Sequence, residues 1–557
     1  MTDAHFDAVV VGSGFGGSVM AYRLVQAGLK VCLLERGKAF PPGSFPRSPH
    51  ELGKNFWNPS KGLFGMFHMW RFKDLNALSA TGLGGGSLIY ANVLIRKDEK
   101  WFVHDHHEGA FEHWPVTRQD LDPHYDEVER HIGVEVYPAH LAKKTPKTQE
   151  YAKAAARAGL KHECLPLAVS FSKEGAPDGE PINAYNLHGQ TRYTCRLCGE
   201  CNVGCNYGSK NSLDHTYLSE AKRLGLYVIT GADVRNFEPR ANGGYTVKYI
   251  QHDFDAERTS KDAPRTTITC GQLILSAGAL GSTHLLLKNY HTLQAPLPKL
   301  GAQFCGNGDI LGMVVKAKNA EGKPLLIHPN RGPVITSCVR LPDALDGGGA
   351  VGRGAYIEDA GFPAFLSWVA ESYASVGKTR QLFRFLWAEL KALLGRGYDT
   401  DVSAEISALL GGNDLTMASL PMLGMGRDLP DGKLWLDGDA HLDCTWSPAT
   451  SMAFFDRVRH HMKLLASQMG GRFVDSPTWI FKRLVTVHAL GGCPMGRNPG
   501  EGVVDDHGEV FGNPGLFVAD GAVMPGPVGP NPSLTIAALA DRFADRVISN
   551  HKKGAVA

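Results

Sequence analysis

A β-branched run, Phe6 to Val11, leads without a break into Gly12-Ser13-Gly14-Phe15-Gly16-Gly17. No other stretch constrains the fold as much. After the glycines, Ser18 to Gly28 carries helical periodicity through Val19, Leu24 and Ala27, and Lys30 to Leu34 reads as a second strand ending at Glu35. The spacing predicts a complete βαβ unit with a parallel sheet. Gly12 permits the tight turn, Gly14 lets backbone approach a pyrophosphate, and Gly17 lets the helix sit close to the sheet. Phe15 and Gly16 belong to the same turn, and the helix N-terminus offers oriented N–H donors to phosphate. Glu35 is placed to accept from a ribose hydroxyl. A lone glycine motif often marks only a turn, and a strand-end acid is often merely solvated. Strand, helix, strand and acid in register point instead to dinucleotide binding.

Two further stretches bear on which dinucleotide. Thr81-Gly82-Leu83-Gly84-Gly85-Gly86-Ser87 is a second glycine cluster, followed at once by apolar Leu88, Ile89 and Tyr90. It is therefore no free linker, and it suits a cofactor larger than one turn can hold. Gln272 to Ala277, then Gly278-Ala279-Leu280-Gly281-Ser282, reads as strand, turn and helix, the helix continuing to Leu287.

At 557 residues the chain exceeds one ordinary core, so at least two domains are expected. The 58 basic and 56 acidic residues nearly cancel, which gives no electrostatic footprint for nucleic acid. The first apolar run, Ala8 to Val11, is too short for a signal-peptide core, and no uninterrupted apolar stretch reaches the ~20 residues that span a bilayer. The expectation is a cytoplasmic protein. Eleven cysteines agree with that, since four crowd one segment while the rest are scattered, unlike a secreted disulfide framework.

Near the C-terminus lies a third constellation: Val487-His488-Ala489-Leu490-Gly491-Gly492, then the apolar run Leu516-Phe517-Val518-Ala519 ending in Asp520-Gly521, then Gly529-Pro530-Asn531-Pro532-Ser533. Each part has a bland reading: a structural histidine beside a turn, an Asp-Gly turn, a loop asparagine before proline. Together they suit an alcohol held beside a cofactor.

The dinucleotide fingerprint, Thr81 to Asn92, Ser276 to Ser282 and His488 to Ala538 resemble the glucose–methanol–choline oxidoreductases, most closely their bacterial cholesterol oxidase branch. The match is weakest from about Leu311 to Lys482. The resemblance implies an α/β fold, with a discontinuous Rossmann-like FAD-binding domain and an inserted α+β substrate-binding domain. The pieces are expected at 1–310, 311–483 and 484–557, with the catalytic His and Asn in the last. It also implies FAD contacts from Gly84, Gly86, Ser87, Ala91, Asn92, Ala277, Gly278, Asp520, Gly521, Asn531 and Pro532, in addition to the first glycine turn and Glu35. His488 matches the family's catalytic histidine and Asn531 its companion. No histidine lies in Gly84 to Asn92, so noncovalent FAD is expected. The reaction implied is transfer of a hydride from an alcohol carbon to flavin N5, with the hydroxyl handled by His488 and Asn531. In cholesterol oxidases a substrate-domain glutamate reaches the reacting hydroxyl and assists steroid isomerisation. The best local match places Thr416 there, so oxidation of an apolar alcohol is expected, with steroid isomerisation in question.

Cys195-x-x-Cys198-x-x-Cys201-x-x-x-Cys205 has the spacing of a ferredoxin-type ligand run, although Asn206 stands where a proline often follows. An iron–sulfur cluster and packed thiols are the two readings. The first would make the enzyme a dehydrogenase passing electrons to a carrier, the second an oxidase using O2. Lys378 to Leu394 reads as a basic amphipathic helix, a surface element or a peripheral membrane contact for a lipid alcohol. An NAD-dependent dehydrogenase is opposed by the second glycine cluster and the C-terminal segment, and an inactive flavin-binding scaffold by the presence of both His488 and Asn531.

Overall fold

The computed structural model describes residues 4–47, 51, 53–106, 111–254, 264–345, 352–363 and 414–556. Its larger sheet is built on His5–Val11, which pairs in parallel with Val31–Glu35 on one side and with Arg265–Leu275 on the other. Tyr227–Thr230 extends the sheet beyond Val31–Glu35, and Leu516–Val518 lies parallel to Leu273–Leu275. Strands buried on both faces need apolar side chains at consecutive positions, which is why Ala8 to Val11 and Val31 to Leu34 show no polar alternation. Tyr245–Gln251 and Ala232–Pro239 add an antiparallel flap. Helix Phe15–Gln26 is covered by the C-terminal helix Ser533–Val556. The first and last segments of the chain therefore share one core, where Val19, Leu24, Ala537 and Phe543 are all buried.

A second sheet is wholly antiparallel, in the order His162–Cys164, Ser337–Ala344, Arg353–Asp359, Leu420–Gly426, Ile310–Val315, Arg472–Asp475. Residues directly opposite each other share a face, and neighbours along a strand alternate. Ile310, Gly424 and Ile357 lie in one row. That row faces helix Met452–Gln468: a Cβ on Gly424 would stand 2.6 Å from Val458 Cγ1. Glycine thus lets the helix, with Phe454, Phe455, Val458, Met462 and Leu465 buried, lie close to the sheet. The alternate row, Leu311, Leu423 and Glu358, must point the other way.

The expected division at residue 310 coincides with the start of Ile310–Val315, and Leu484–Thr486 returns to pair with Leu75–Ala77. The second sheet also draws His162–Cys164, with helix Pro146–Arg157 beside it, from within the first 310 residues. A single cut at 310 thus does not separate the two sheets. Among the described residues no helix is long and apolar enough to cross a membrane. The expected helix at Lys378 to Leu394 lies outside the described residues.

Candidate active site and cofactor cradle

Three glycine turns meet at the N-terminus of Phe15–Gln26. A Cβ on Gly12 would overlap the Ser276 carbonyl, one on Gly16 the Ala519 carbonyl and one on Gly17 the Gly12 carbonyl, so these positions close the turn against Ala277, Gly278 and Asp520. Gly14 and Gly86 are different: a Cβ there meets nothing within 4 Å. Two open glycines on an otherwise closed turn form a cradle that a phosphate can approach. The second cluster is bound to the first, with Gly84 N donating to Ser13 Oγ at 3.0 Å and Gly85 packed on Gly14. Ser87 Oγ donates to the Gly84 carbonyl and accepts from Leu213 N.

The carboxylate of Glu35, 5% exposed, accepts from Ser13 N and Oγ, Gly37 N and Gly82 N, at 2.6 to 3.2 Å. It fastens both glycine turns to the end of the second strand. Asp520 does the same for the third: its oxygens accept from Gly278 N, Ser282 Oγ and Ala522 N. Burial pushes the Asp520 carboxyl up to about 6. Gly521 begins the short turn after it, and Ala91 is half-buried beside Asn92. Asn92 is buried in a left-handed conformation, φ +70, and neither amide atom makes a hydrogen bond of ordinary geometry, the side chain facing only the Cys201 thiol. An unpartnered buried amide costs about 1–3 kcal/mol, and the flat polar edge of a flavin is the kind of group that would satisfy it. The residues present fit FAD.

His488 and Asn531 come from two loops that converge at the edge of the second sheet. His488 Nδ1 stands 2.8 Å from Asp309 Oδ1. The other Asp309 oxygen accepts from Thr486 Oγ1 and Val487 N, both at 2.9 Å. Asp309 is 2% exposed, and a carboxylate so placed fixes the proton on Nδ1 and leaves Nε2 free to accept. Asn531 is 6% exposed and its Oδ1 has no partner. Pro532 follows, its carbonyl accepting from Ile536 N in the first turn of the C-terminal helix.

The carboxyl beside Asn531 is Glu358, from the row of the second sheet that faces away from its helix. Glu358 is fully buried, with neither oxygen hydrogen-bonded, and burial holds its carboxyl well above the usual range despite the opposing effect of the Asn531 amide. The expectation that Thr416 takes this place is overturned. Thr416 lies in Asp414–Met417, ahead of the strand whose Leu423 is paired with Glu358, and so at the far end of the sheet. Asp309 and Glu358 are the functional residues that sequence reasoning missed. The local signals were an acid closing Gly306-Asn307-Gly308-Asp309 and two acids ending the apolar run at Tyr356-Ile357.

Cys195, Cys198, Cys201 and Cys205 are free thiols lining one cleft with Glu200, Lys210 and Gly332. No three of the sulfurs lie within 4.8 Å of one another, wider than the roughly 4 Å separation that ~2.3 Å Zn–S bonds impose around one tetrahedral ion. Burial raises the Cys195, Cys198 and Cys201 thiols, while Lys210, itself lowered to about 8 by burial, and the Asn92 side chain oppose the rise at Cys201. The Asn92 side chain therefore lies beside Cys201.

Comparison with known proteins agrees with this geometry. The GMC oxidoreductase family models match residues 183–302 (N-terminal domain) and 475–540 (C-terminal domain), and an NAD(P)-binding Rossmann-like model matches 10–68. The chain is 29% identical over 558 residues to a cholesterol oxidase of Mycobacterium tuberculosis, covering 97% of this chain and 90% of that protein. It is 28% identical to a cholesterol oxidase of Acinetobacter baumannii, covering 98% and 95%, and 26% identical to a long-chain-alcohol oxidase of Arabidopsis thaliana, covering 98% and 67%. The crystal structure of pyridoxine 4-oxidase from Mesorbium loti has the same fold, with a TM-score of 0.58 at 16% identity and coverage of 97% and 98%. The chain is an FAD-dependent oxidoreductase, matched in chain order by both GMC oxidoreductase family models and by relatives over nearly its whole length.

Proposed function

We propose that this FAD-dependent oxidoreductase oxidises an apolar alcohol, sterol-like or another lipid or aromatic alcohol, to its carbonyl, with His488 and Asn531 at the reacting hydroxyl. The supporting observation is an apolar row that leads from the surface to a buried carboxyl. Glu358 is fully buried, Leu423 beside it is half-buried, and Leu311 next in the row is 39% exposed, with Val487 47% exposed alongside His488. A ring system or alkyl chain lying along that row gains about 25 cal/mol per Å² of apolar surface it covers, and its hydroxyl end arrives at the polar group.

Noncovalent FAD would be held by the glycine turns, Glu35, Asp520, Gly521 and Asn92, with Pro532 against its ring, and it supplies the hydride acceptor. The protein's own residues manage the hydroxyl. His488 Nε2 accepts the hydroxyl proton, and the imidazolium that results is stabilised by Asp309 across 2.8 Å. The Asn531 amide nitrogen donates to the hydroxyl oxygen and so turns the O–H towards His488 Nε2. Glu358, its carboxyl held above the usual range by burial, stands beside Asn531 and restores a carboxyl to the position that sterol isomerisation requires. Anaerobic mixing of the yellow holoenzyme with sterols, long-chain alcohols and sugars tests the reading. Flavin bleaching should be fast only with apolar alcohols and slowed by His488→Ala and Asn531→Ala, and normal bleaching in those variants would refute the roles. No bleaching with any alcohol would favour the inactive scaffold.

A second reading concerns the electrons. Four free thiols on one cleft, adjoining Asn92, favour an iron–sulfur cluster that passes electrons to a carrier rather than to O2. Iron and broad visible absorption beyond the flavin bands would support it. Iron-free yellow protein that makes peroxide in air would leave the cysteines as packed thiols.

A further inference from the structure

His488 and Asn531 lie on separate loops, 43 positions apart in the numbering, yet hydride transfer needs the groups that handle one hydroxyl held to a fraction of an ångström. One short segment touches both loops. Gly306, Asn307, Gly308 and Asp309 form the turn that enters strand Ile310–Val315. Asn307, fully buried in a left-handed conformation, accepts from Gly529 N at 2.9 Å and donates to the Pro530 carbonyl at 3.0 Å. Those two residues immediately precede Asn531. Two positions on, Asp309 holds His488 Nδ1 at 2.8 Å and Val487 N at 2.9 Å.

The segment is itself fastened on every side. Gly306 N donates to Asp428 Oδ2 at 2.9 Å and the Gly306 carbonyl accepts from Thr486 Oγ1 at 3.0 Å. Gly426 N donates to the Asn307 carbonyl at 3.1 Å, and Cys305 exchanges two backbone hydrogen bonds with Leu490. Gly308, φ +65, passes so close to Gly426 and Phe454 that a Cβ would stand 2.8 to 2.9 Å from them. The turn therefore cannot move without dragging both the second sheet and the His488 loop with it.

We propose that Asn307 and Asp309 are positioning residues that set the Asn531 loop and the His488 ring in register with each other, Asp309 also fixing the His488 tautomer that leaves Nε2 free. This rests on the reading that His488 and Asn531 act at the hydroxyl. It predicts that each works only through its own partner. The test is anaerobic flavin bleaching by the holoenzyme in two double-mutant cycles, with flavin content and melting temperature checked for every variant.

Asp309→Asn should slow bleaching at saturating substrate about 10- to 100-fold, the range for orienting partners of functional histidines, with the half-saturating substrate concentration unchanged within about 2-fold. In a His488→Ala background the same change should cost no more than about 2-fold, the usual limit of additivity error. Asn307→Gly, which keeps the left-handed backbone, should behave likewise against Asn531→Ala. Asp309→Glu, which keeps the charge, should recover part of the rate and serves where the amide variant loses flavin. The inference is overturned if Asp309→Asn keeps its full cost when His488 is absent, if it bleaches like wild type, or if Asp309→Glu is as slow as Asp309→Asn. Normal bleaching in His488→Ala or Asn531→Ala themselves would instead strike the functional reading beneath it.

Discussion

Asp428 offers a test in which the size of the effect follows from the structure. Its side chain is fully buried, one oxygen accepts from Gly306 N at 2.9 Å, and the other has no partner. Burial, with the charges of Asp309 and Asp431 adding to it, pushes the carboxyl from 3.8 up to about 7. In the unfolded chain the group ionises near 4, so between pH 3.8 and about 7 the folded protein holds a proton that the unfolded chain has released. Stability is fully present below 3.8, is lost as pH rises, and reaches its full deficit above about 7. At 1.36 kcal/mol per pH unit a displacement of about 3 units comes to about 4 kcal/mol. Asp428→Asn keeps an oxygen acceptor for Gly306 N and has no charge to bury. It should match wild type near pH 4 and exceed it progressively up to pH 8, with an apparent melting temperature several degrees higher there. Melting followed by intrinsic fluorescence from pH 4 to 8, at one scan rate, reads the difference directly. Parallel profiles for the two proteins across that range would refute the reasoning, because they would mean that Asp428 binds no extra proton in the folded state.

The remaining expectations concern the cradle, the substrate row and the buried glutamate. Gly14→Ala should leave the stability of the flavin-free protein within about 0.5 kcal/mol of wild type, the range of a neutral substitution, because its Cβ meets no protein atom within 4 Å. Titration with FAD should show weakened binding, and unchanged affinity would remove Gly14 from the cofactor site. Gly16→Ala, whose Cβ overlaps the Ala519 carbonyl, should destabilise the flavin-free protein itself, by at least the ~1–3 kcal/mol of an overpacked core, and so lower its melting temperature. Leu311→Lys should raise the KM for sterols and long-chain alcohols about tenfold or more, since about 1.4 kcal/mol of lost apolar contact corresponds to tenfold, and leave short alcohols unaffected. Glu358→Gln should retain flavin bleaching by a sterol but release a ketone whose double bond has not moved, which ultraviolet absorption of the product distinguishes.

What could be read in the chain before folding depended on whether a function needs neighbours in sequence. The first glycine turn was legible because Gly12, Gly14, Gly16 and Gly17 answer local demands of one backbone crossing, and strand and helix sit within a few residues on either side. Asp520 was legible for a similar reason, at the end of an apolar run that could only be a buried strand. Glu358 was not. Its strand, Arg353–Asp359, is buried at all seven positions, and a run reading Tyr-Ile-Glu-Asp beside glycine and proline resembles a turn before a helix. The position of its carboxyl is fixed by cross-strand register with Leu423, 65 positions on, and a pairing of that range leaves no periodic trace in either strand. The misplacement of the role onto Thr416 came from the same source, since a local sequence match is no guide to which face of a sheet a residue serves.

Asp309 shows the opposite case, in which adjacency was informative but mute without the fold. An acid two residues after Asn307 looks like turn chemistry, and both residues do shape a turn. Their side chains diverge because Gly308 turns left-handed between them, sending one amide to the Asn531 loop and one carboxylate to His488. A buried carboxylate among neutral groups is expensive unless both of its oxygens are hydrogen-bonded, and Asp309 meets that condition with Thr486 Oγ1, Val487 N and His488 Nδ1. The charge is therefore held without a permanent cation, which leaves His488 as the group whose protonation it can stabilise when a hydroxyl gives up its proton. An arginine or lysine in the same place would satisfy Asp309 equally well and leave nothing for the histidine. The absence of one among the described residues that bond that carboxylate is what turns a well-bonded structural acid into half of a base.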